Sequence, residues 1–471
     1  MKNNRIKILC SAICVLISLA MLSGCLFSQN PVKYLADSVE ESARSYFSDD
    51  ANKLYDAMEK NGSIEIGLSS VPAELIGDSI DISNVKAKIY YAEDKTALEL
   101  GAKISGKTYD LTATSNEKEI TLSTSLLENA YGINLNNAKK NIKDNEFISG
   151  LIGNLGSEDD EDKLSIDDII DSVKDSYNSA KQLKKFAENY EEKLKDIINK
   201  VCEVKKSSEK GGSVVSFTVT IEDATEILKQ LYGEFSKDKK LRSFIEENFG
   251  EIIKQMGKMK IEDLYSVTDE QIQSFADEYT EKFKGYQLEG EVHVSGKKIV
   301  RSASFIVKDS SGNDFAKVEI SLEGDVRSAS LEYEGGYYSI SYEIKADTKQ
   351  EYKAVVNVTR KEGNTTVTVE LGNISYNRET NAYTAVVYAN NTPIEIKGTL
   401  EVSSSRARFT VNSVKSGEEE VFSGEFYVVL NAKDSMPSAA KGYTDVLTMK
   451  EEEFNELAGK LQALIPSVES D

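Results

Sequence analysis

The chain of 471 residues has no Trp, one His, five Pro and four Cys. A single imidazole, His293, makes a Ser-His-Asp triad improbable and leaves a zinc site without its usual ligands. No glycine-rich phosphate loop, metal-ligand spacing or nucleophile elbow occurs. Positive charge is also short, at 57 Lys and Arg against 79 Asp and Glu, a net of −22. A surface this acidic repels phosphate backbones and anionic headgroups, which excludes nucleic-acid binding and electrostatic membrane docking. The apolar stretch from Ile8 to Met21 has 14 residues, short of the ~20 a helix needs to cross a bilayer.

That stretch follows Lys2, Arg5 and Lys7 and ends in Leu22-Ser23-Gly24-Cys25, which reads as a signal peptide. The LSGC sequence resembles the bacterial lipobox. The resemblance implies cleavage between Gly24 and Cys25, diacylglycerol on the Cys25 thiol and acylation of the new amine. Two or three acyl chains, at ~0.8 kcal/mol per buried CH₂, hold a protein on a membrane where one chain lets it go. Cleavage removes Cys10 and Cys14 and leaves 54 basic against 79 acidic residues, net −25. Cys202 is then the only unlipidated thiol, so no intramolecular disulfide can form and the core alone must hold the fold. Abundant Lys, Ile, Asn and Tyr resemble a low-GC Gram-positive composition, in which the anchor is the outer leaflet of the plasma membrane. The expected location is thus the extracytoplasmic face of the cell membrane.

Six segments are expected: 1–24 signal peptide, 25–32 lipidated Cys and tether, 33–125 helix and first strands, 126–285 a mainly helical insertion, 286–432 a β-meander, and 433–471 a C-terminal helix. Helical spacing covers 33–60. Period-two alternation follows in Ile64, Ile66 and Leu68, in Val85, Ala87 and Ile89, and in Leu98, Leu100 and Ala102, with turns at 93–95 and 116–118. The longest stripe, Ile166 to Val201, spans 36 residues, about 54 Å of helix. It opens on a capping box at Ser165 and Asp168, and a second box is expected at Thr268 and Gln271. A strand pair around Gly211-Gly212 interrupts the insertion, and helical spacing then runs through 223–285. The meander carries turn signals at Ser311-Gly312-Asn313, Gly324-Asp325, Gly335-Gly336, Glu362-Gly363-Asn364, Asn390-Asn391 and Ser416-Gly417. The last helix is expected to begin at Thr448 and Glu451, with Pro466 beyond it.

The fold class is therefore α+β: a large curved antiparallel sheet of roughly fifteen strands, with amphipathic helices on its apolar face. Such a face cannot be left in water without becoming a binding or aggregation surface. By layout alone this resembles the LolA and LppX type of lipoprotein, which implies a half-barrel carrying a lipid or other apolar ligand beneath the helices.

His293 lies between Val292 and Val294 and should face away from them, with Glu291. Cys202 reads as a buried structural thiol, because no His or basic cluster adjoins it to lower its pKa. The acidic run Glu158-Asp159-Asp160-Glu161-Asp162 lacks the spaced oxygens and central Gly of an EF-hand and reads as a solvated loop. Tyrosines 333, 337, 338, 342, 352, 376, 383 and 388 read as cross-strand packing, since a sugar platform more often includes Trp. Sequons at Asn357, Asn364, Asn373 and Asn390 carry little meaning in a bacterial lipoprotein. No catalytic residue, metal or cofactor is expected. The expected function is a membrane-anchored, non-catalytic interaction protein of the envelope, with lipid on Cys25 as one contact and an envelope protein or apolar ligand as the other. The alternatives are a carrier of an apolar ligand and a glycosidase built on two carboxylates.

Overall fold

The computed structural model describes residues 31–70, 82–92, 95–153, 166–246, 268–333, 336–363 and 365–464. The first elements are helices α1 (Pro31–Ser45) and α2 (Asp49–Met58), then strands β1 (Gly62–Ser70), β2 (Ile82–Tyr91), β3 (Lys95–Ile104), β4 (Lys107–Asn116), β5 (Glu119–Ser123) and β6 (Tyr131–Asn134). Next come α3 (Ala138–Asp144), α4 (Glu146–Gly153), α5 (Ile166–Val201), β7 (Glu203–Glu209), β8 (Gly212–Thr220), α6 (Ile221–Lys237) and α7 (Asp269–Lys282). The meander runs through β9 (Gln287–Ser295), β10 (Val300–Lys308), β11 (Asp314–Ser321), β12 (Val326–Tyr333), β13 (Gly336–Asp347) and β14 (Glu351–Glu362). It continues with β15 (Thr365–Asn377), β16 (Ala382–Ala389), β17 (Thr392–Ser403), β18 (Arg406–Ser416) and β19 (Glu419–Asn431). A two-residue strand β20 (Thr444–Asp445), a 3₁₀ turn (Val446–Thr448) and α8 (Glu451–Leu464) close the described chain.

The fold is α+β with a large antiparallel sheet, as the alternation demands. Twenty described strands exceed the expected fifteen. One reason is the β3–β4 hairpin, whose turn residues Ser105 and Gly106 both take positive φ, at 47° and 81°, the pattern of a type I′ turn. Among the described residues β7 pairs only with β8, and β20 only with β6, so the sheet keeps open ends.

The chain forms two compact units. One groups residues up to Ser48 with Leu183–Glu379 and Ala385–Thr392. In it β7 to β15 form a meander, each strand antiparallel to the next. The other groups Asp49–Gln182, Thr380–Thr384 and residues from Pro393 onward. Its paired strands run β17–β18–β19–β1–β2–β3–β4–β5–β6–β20, so the last long strand lies beside the first.

Several boundaries differ from the sequence expectation. The 33–60 helix is two helices, separated at 46–48, and α1 already begins at Pro31, where proline's fixed φ suits a first helical position. The long helix α5 keeps its expected limits, and Thr268–Gln271 forms its capping box. A further box, Thr220 with Asp223, starts α6 two residues early; the Thr-Ile-Glu-Asp sequence carries its signal. Thr448 lies in the 3₁₀ turn capped by Asp445, and α8 opens at Glu451, where Glu453 accepts from the Lys450 N–H at 2.8 Å. Ser165, Pro466, the signal peptide and Cys25 lie outside the described residues. No helix of the described residues is long and apolar enough to cross a membrane.

Candidate functional site

Cross-strand register in the first unit draws one apolar row across eight strands: Val215, Val292, Ala303, Ile320, Ala329, Ile340, Val358 and Val369. Its two ends have opposite environments. Val215 is fully buried and Val292 is 3% exposed, whereas Ile340 is 48% and Val369 47% exposed. The parallel row from Phe217 through Gly290, Phe305, Val318, Leu331, Tyr338 and Arg360 to Val367 behaves alike, buried at Phe217 and exposed at Leu331 and Val367. Gly290 permits the packing at the buried end, since a Cβ there would meet the Phe217 ring at 2.1 Å.

The cover is helical. Tyr34, Leu35 and Val39 of α1 pack on Val292, Val294, Val300 and Ala303, and the Ser42 hydroxyl accepts from the Val300 N–H at 2.6 Å. Leu194, Ile197 and Ile198 of α5 close on Cys202 and on Ile227 of α6. The cavity among α1, α5, β7 and β8 measures about 30 Å³, room for about one or two waters and far below the size of a small-ligand site. The helix α1 reaches from β7, where Lys206 sits 3.4 Å over the Tyr34 ring, to β12, where Arg327 sits 4.8 Å from the ring of Tyr46, just past its end. Fifteen residues make ~22 Å of helix, about five strand spacings, so the cover runs out near β12. Helices pack on the apolar face as expected, and among the described residues the contacts of α1 reach as far as β12.

Beyond β12 the bare face carries Tyr333 and Tyr338, stacked at 6.2 Å, and a hydroxyl contact between Tyr342 and Tyr352. Arg327 and Arg360 lie on this side of their strands, and the buried Arg327 Nε has no hydrogen-bond partner. In the second unit the equivalent apolar positions Ile64, Ile66, Ile89, Leu100 and Phe409 are also exposed.

The opposite face of that second unit holds a polar cleft of about 650 Å³. Along its wall the Tyr427 ring lies over Gly67, where a Cβ would fall 2.2 Å from the ring. The Tyr427 hydroxyl donates to Glu65 Oε1 at 3.0 Å, and Arg408 stacks 4.5 Å over the ring while donating to Glu425 at 2.6 Å. Lys88 continues the line, 3.7 Å from Glu65 and 2.5 Å from Asp434, which also accepts from Ser63. Partial burial works against the Lys88 charge, but its hydrogen bonds to Asp434 and Tyr90 hold its pKa above the usual lysine value. Asp434 responds in the opposite sense: burial raises its pKa, and Lys88 and Ser63 bring it below the ordinary carboxylate value.

His293 faces away from buried Val292 and Val294, as expected, and lies between two carboxylates, Glu209 at 3.1 Å and Glu291 at 2.7 Å. Burial lowers its pKa, but the two carboxylates outweigh it and raise the imidazole above its usual value. Cys202 is buried, and desolvation, helped by the charge of Asp223, pushes its thiol up to about 11, the inert direction. Glu158 to Asp162 lie outside the described residues, as does Asn364. No cluster of three metal-ligating side chains occurs among the described residues. No protein-family model, curated protein or solved structure matches the chain.

Proposed function

We propose that this protein is a lipid-anchored extracytoplasmic lipoprotein that acts by binding another envelope protein through the uncovered end of its sheet. The observation that carries the reading is the apolar row, buried at Val215 and open at Ile340 and Val369. Four strands of about eight paired residues make a bare face of roughly 500 Å², at the upper range of patches that soluble monomers expose. Tyrosine and arginine are among the residues enriched at protein interfaces. The exposed row calls for a partner with an apolar surface of its own. The anchor in this reading is the lipid on Cys25 implied by Leu22-Ser23-Gly24-Cys25. A catalytic reading finds less support, because Glu65, Glu425 and Asp110 in the cleft are each held by a tyrosine, arginine or serine partner.

Photo-crosslinking in native membranes tests the binding role. A crosslinkable residue at Ile340 or Val369 should yield one discrete protein adduct, and one at Thr368, on the other face of β15, should not. Equal labelling from both faces, or none from either, removes the proposal. Cys25→Ser should release the protein from the membrane fraction; continued retention removes the anchor.

A further inference from the structure

We infer that the apolar face of the second unit is an interface between two copies of this chain, packed sheet face to sheet face. Cross-strand register lays two unbroken rows over β18, β19, β1, β2, β3 and β4. One is Ala407, Leu430, Ile64, Ile89, Leu98 and Ala113, and the other is Phe409, Val428, Ile66, Ala87, Leu100 and Leu111. Val402 and Leu400 extend them onto β17, and Leu122 extends the first onto β5. Neither row holds a charged residue, because alternation sends Arg408, Glu65, Lys88 and Glu99 of the same strands to the opposite face. Ile64, Ile66, Ile89, Leu100, Leu122 and Phe409 are exposed. The helix α2 borders the face, where the Tyr91 hydroxyl donates to the Met58 carbonyl at 2.8 Å, and has only ten residues.

The backbone is arranged to keep these rows continuous. Ser83 pairs with Lys103 and Lys86 with Gly101, so two residues of β2, Asn84 and Val85, stand opposite one of β3, Ala102. This is a β-bulge, and Asn84 takes φ +51°, the left-handed region that non-glycine residues seldom enter. The bulge sets Ala87 opposite Leu100 and Ile89 opposite Leu98. Without the extra residue the Ser83 register would place Ala87 opposite Glu99 and break both rows, because a one-residue slip reverses every side chain.

Charge, area and relief fit a second copy. About a two-fold axis the face meets itself, and rows without charge bring no like charges together. Homodimer interfaces are more apolar than other protein contacts and their cores are depleted in charge, whereas the open face of the first unit carries tyrosine and arginine. A shorter uncharged row, Val411, Phe426, Leu68 and Val85, lies beside the other two. At ~4.8 Å between strands and ~6.8 Å between rows, the three rows cover roughly 600 Å². Two copies thus bury roughly 1,200 Å², above the ~1,000 Å² of a specific interface. Ala87, Ala113 and Ala407 stand among leucine and isoleucine, leaving hollows for larger side chains of a facing sheet ~10 Å away. A lipid chain would instead need a concave site enclosing most of its surface. The inference does not rest on the partner proposed for the first unit, so either can fail without the other.

The test is photo-crosslinking of the full chain in native membranes, with two copies bearing different affinity tags expressed together. A crosslinkable residue at Ile66 or Leu100 should give an adduct of twice the chain mass that carries both tags, and one at Lys86, on the opposite face, should not. The double variant Ile64→Lys/Ile89→Lys, probed from Leu100, should lower the yield of that adduct about tenfold or more, because it sets lysines of both copies in an uncharged interface. Both positions are exposed in the single chain, and circular dichroism checks that the variant keeps its fold. The inference is overturned if the adduct is with lipid, with a different protein or within one chain, if none forms, if Lys86 labels equally, or if the folded lysine pair crosslinks unchanged.

Discussion

The two ends of the apolar face in the first unit have the same sequence character and opposite fates. At β8 to β10, valines alternate with serine, threonine and glutamate, and the apolar side is buried under α1, α5 and α6. At β13 to β15, isoleucine and valine alternate with serine, threonine and asparagine, yet the apolar side is open. Alternation thus records which side of a strand is apolar, and a separate question, the reach of the helices, decides whether that side is core. A β-strand can be patterned for burial locally, whereas its cover comes from another part of the chain.

The sharpest way to break the comparison is to place a carboxylate at each end of the one row. Val215→Asp should cost more than about 4 kcal/mol, because an unpaired charge enters a fully buried site. Val369→Asp should stay within about 0.5 kcal/mol, as for an exposed position. Denaturant unfolding of both variants checks this, and a large loss from Val369→Asp would mean that the face is covered. A smaller effect is expected from the helices themselves. Ile198→Ala should cost about 2–5 kcal/mol by removing a buried side chain of the cover, and the same truncation at Ile340 should be near neutral.

Thr220→Ala should cost about 1 kcal/mol by removing the cap that starts α6 over the covered end. Preserved stability there would show that tertiary packing alone fixes that helix start.

The smallest effect is a pH dependence near β9. With its folded pKa above the unfolded value, His293 contributes stability that is fully present below the ordinary imidazole pKa of 6.5 and fades as pH rises through the raised folded value. His293→Gln should therefore flatten the stability profile above about pH 6.5 and reduce stability most at acid pH. An unchanged profile would show that Glu209 and Glu291 do not hold the imidazolium.

Much of this was legible residue by residue. The limits of α5, the Thr268 box, the direction of His293 and the inert burial of Cys202 all follow from local spacing and neighbours. The β3–β4 turn at Ser105-Gly106 and the Thr220 box had local signals that a fuller scan for turn and capping pairs would find. The polar cleft had none, because Glu65 and Tyr427 are brought together only by the pairing of β1 with β19.

By itself the sequence determined the α+β class, the strand faces and the limits of α5, since these depend on periods of two and 3.6 and on caps within a few residues. Tertiary structure alone decided that β19 lies beside β1, that a bulge sets Ala87 opposite Leu100, and that α1 stops near β12. These are long-range choices of partner and register, and their free energy comes from contacts between segments that are distant along the chain.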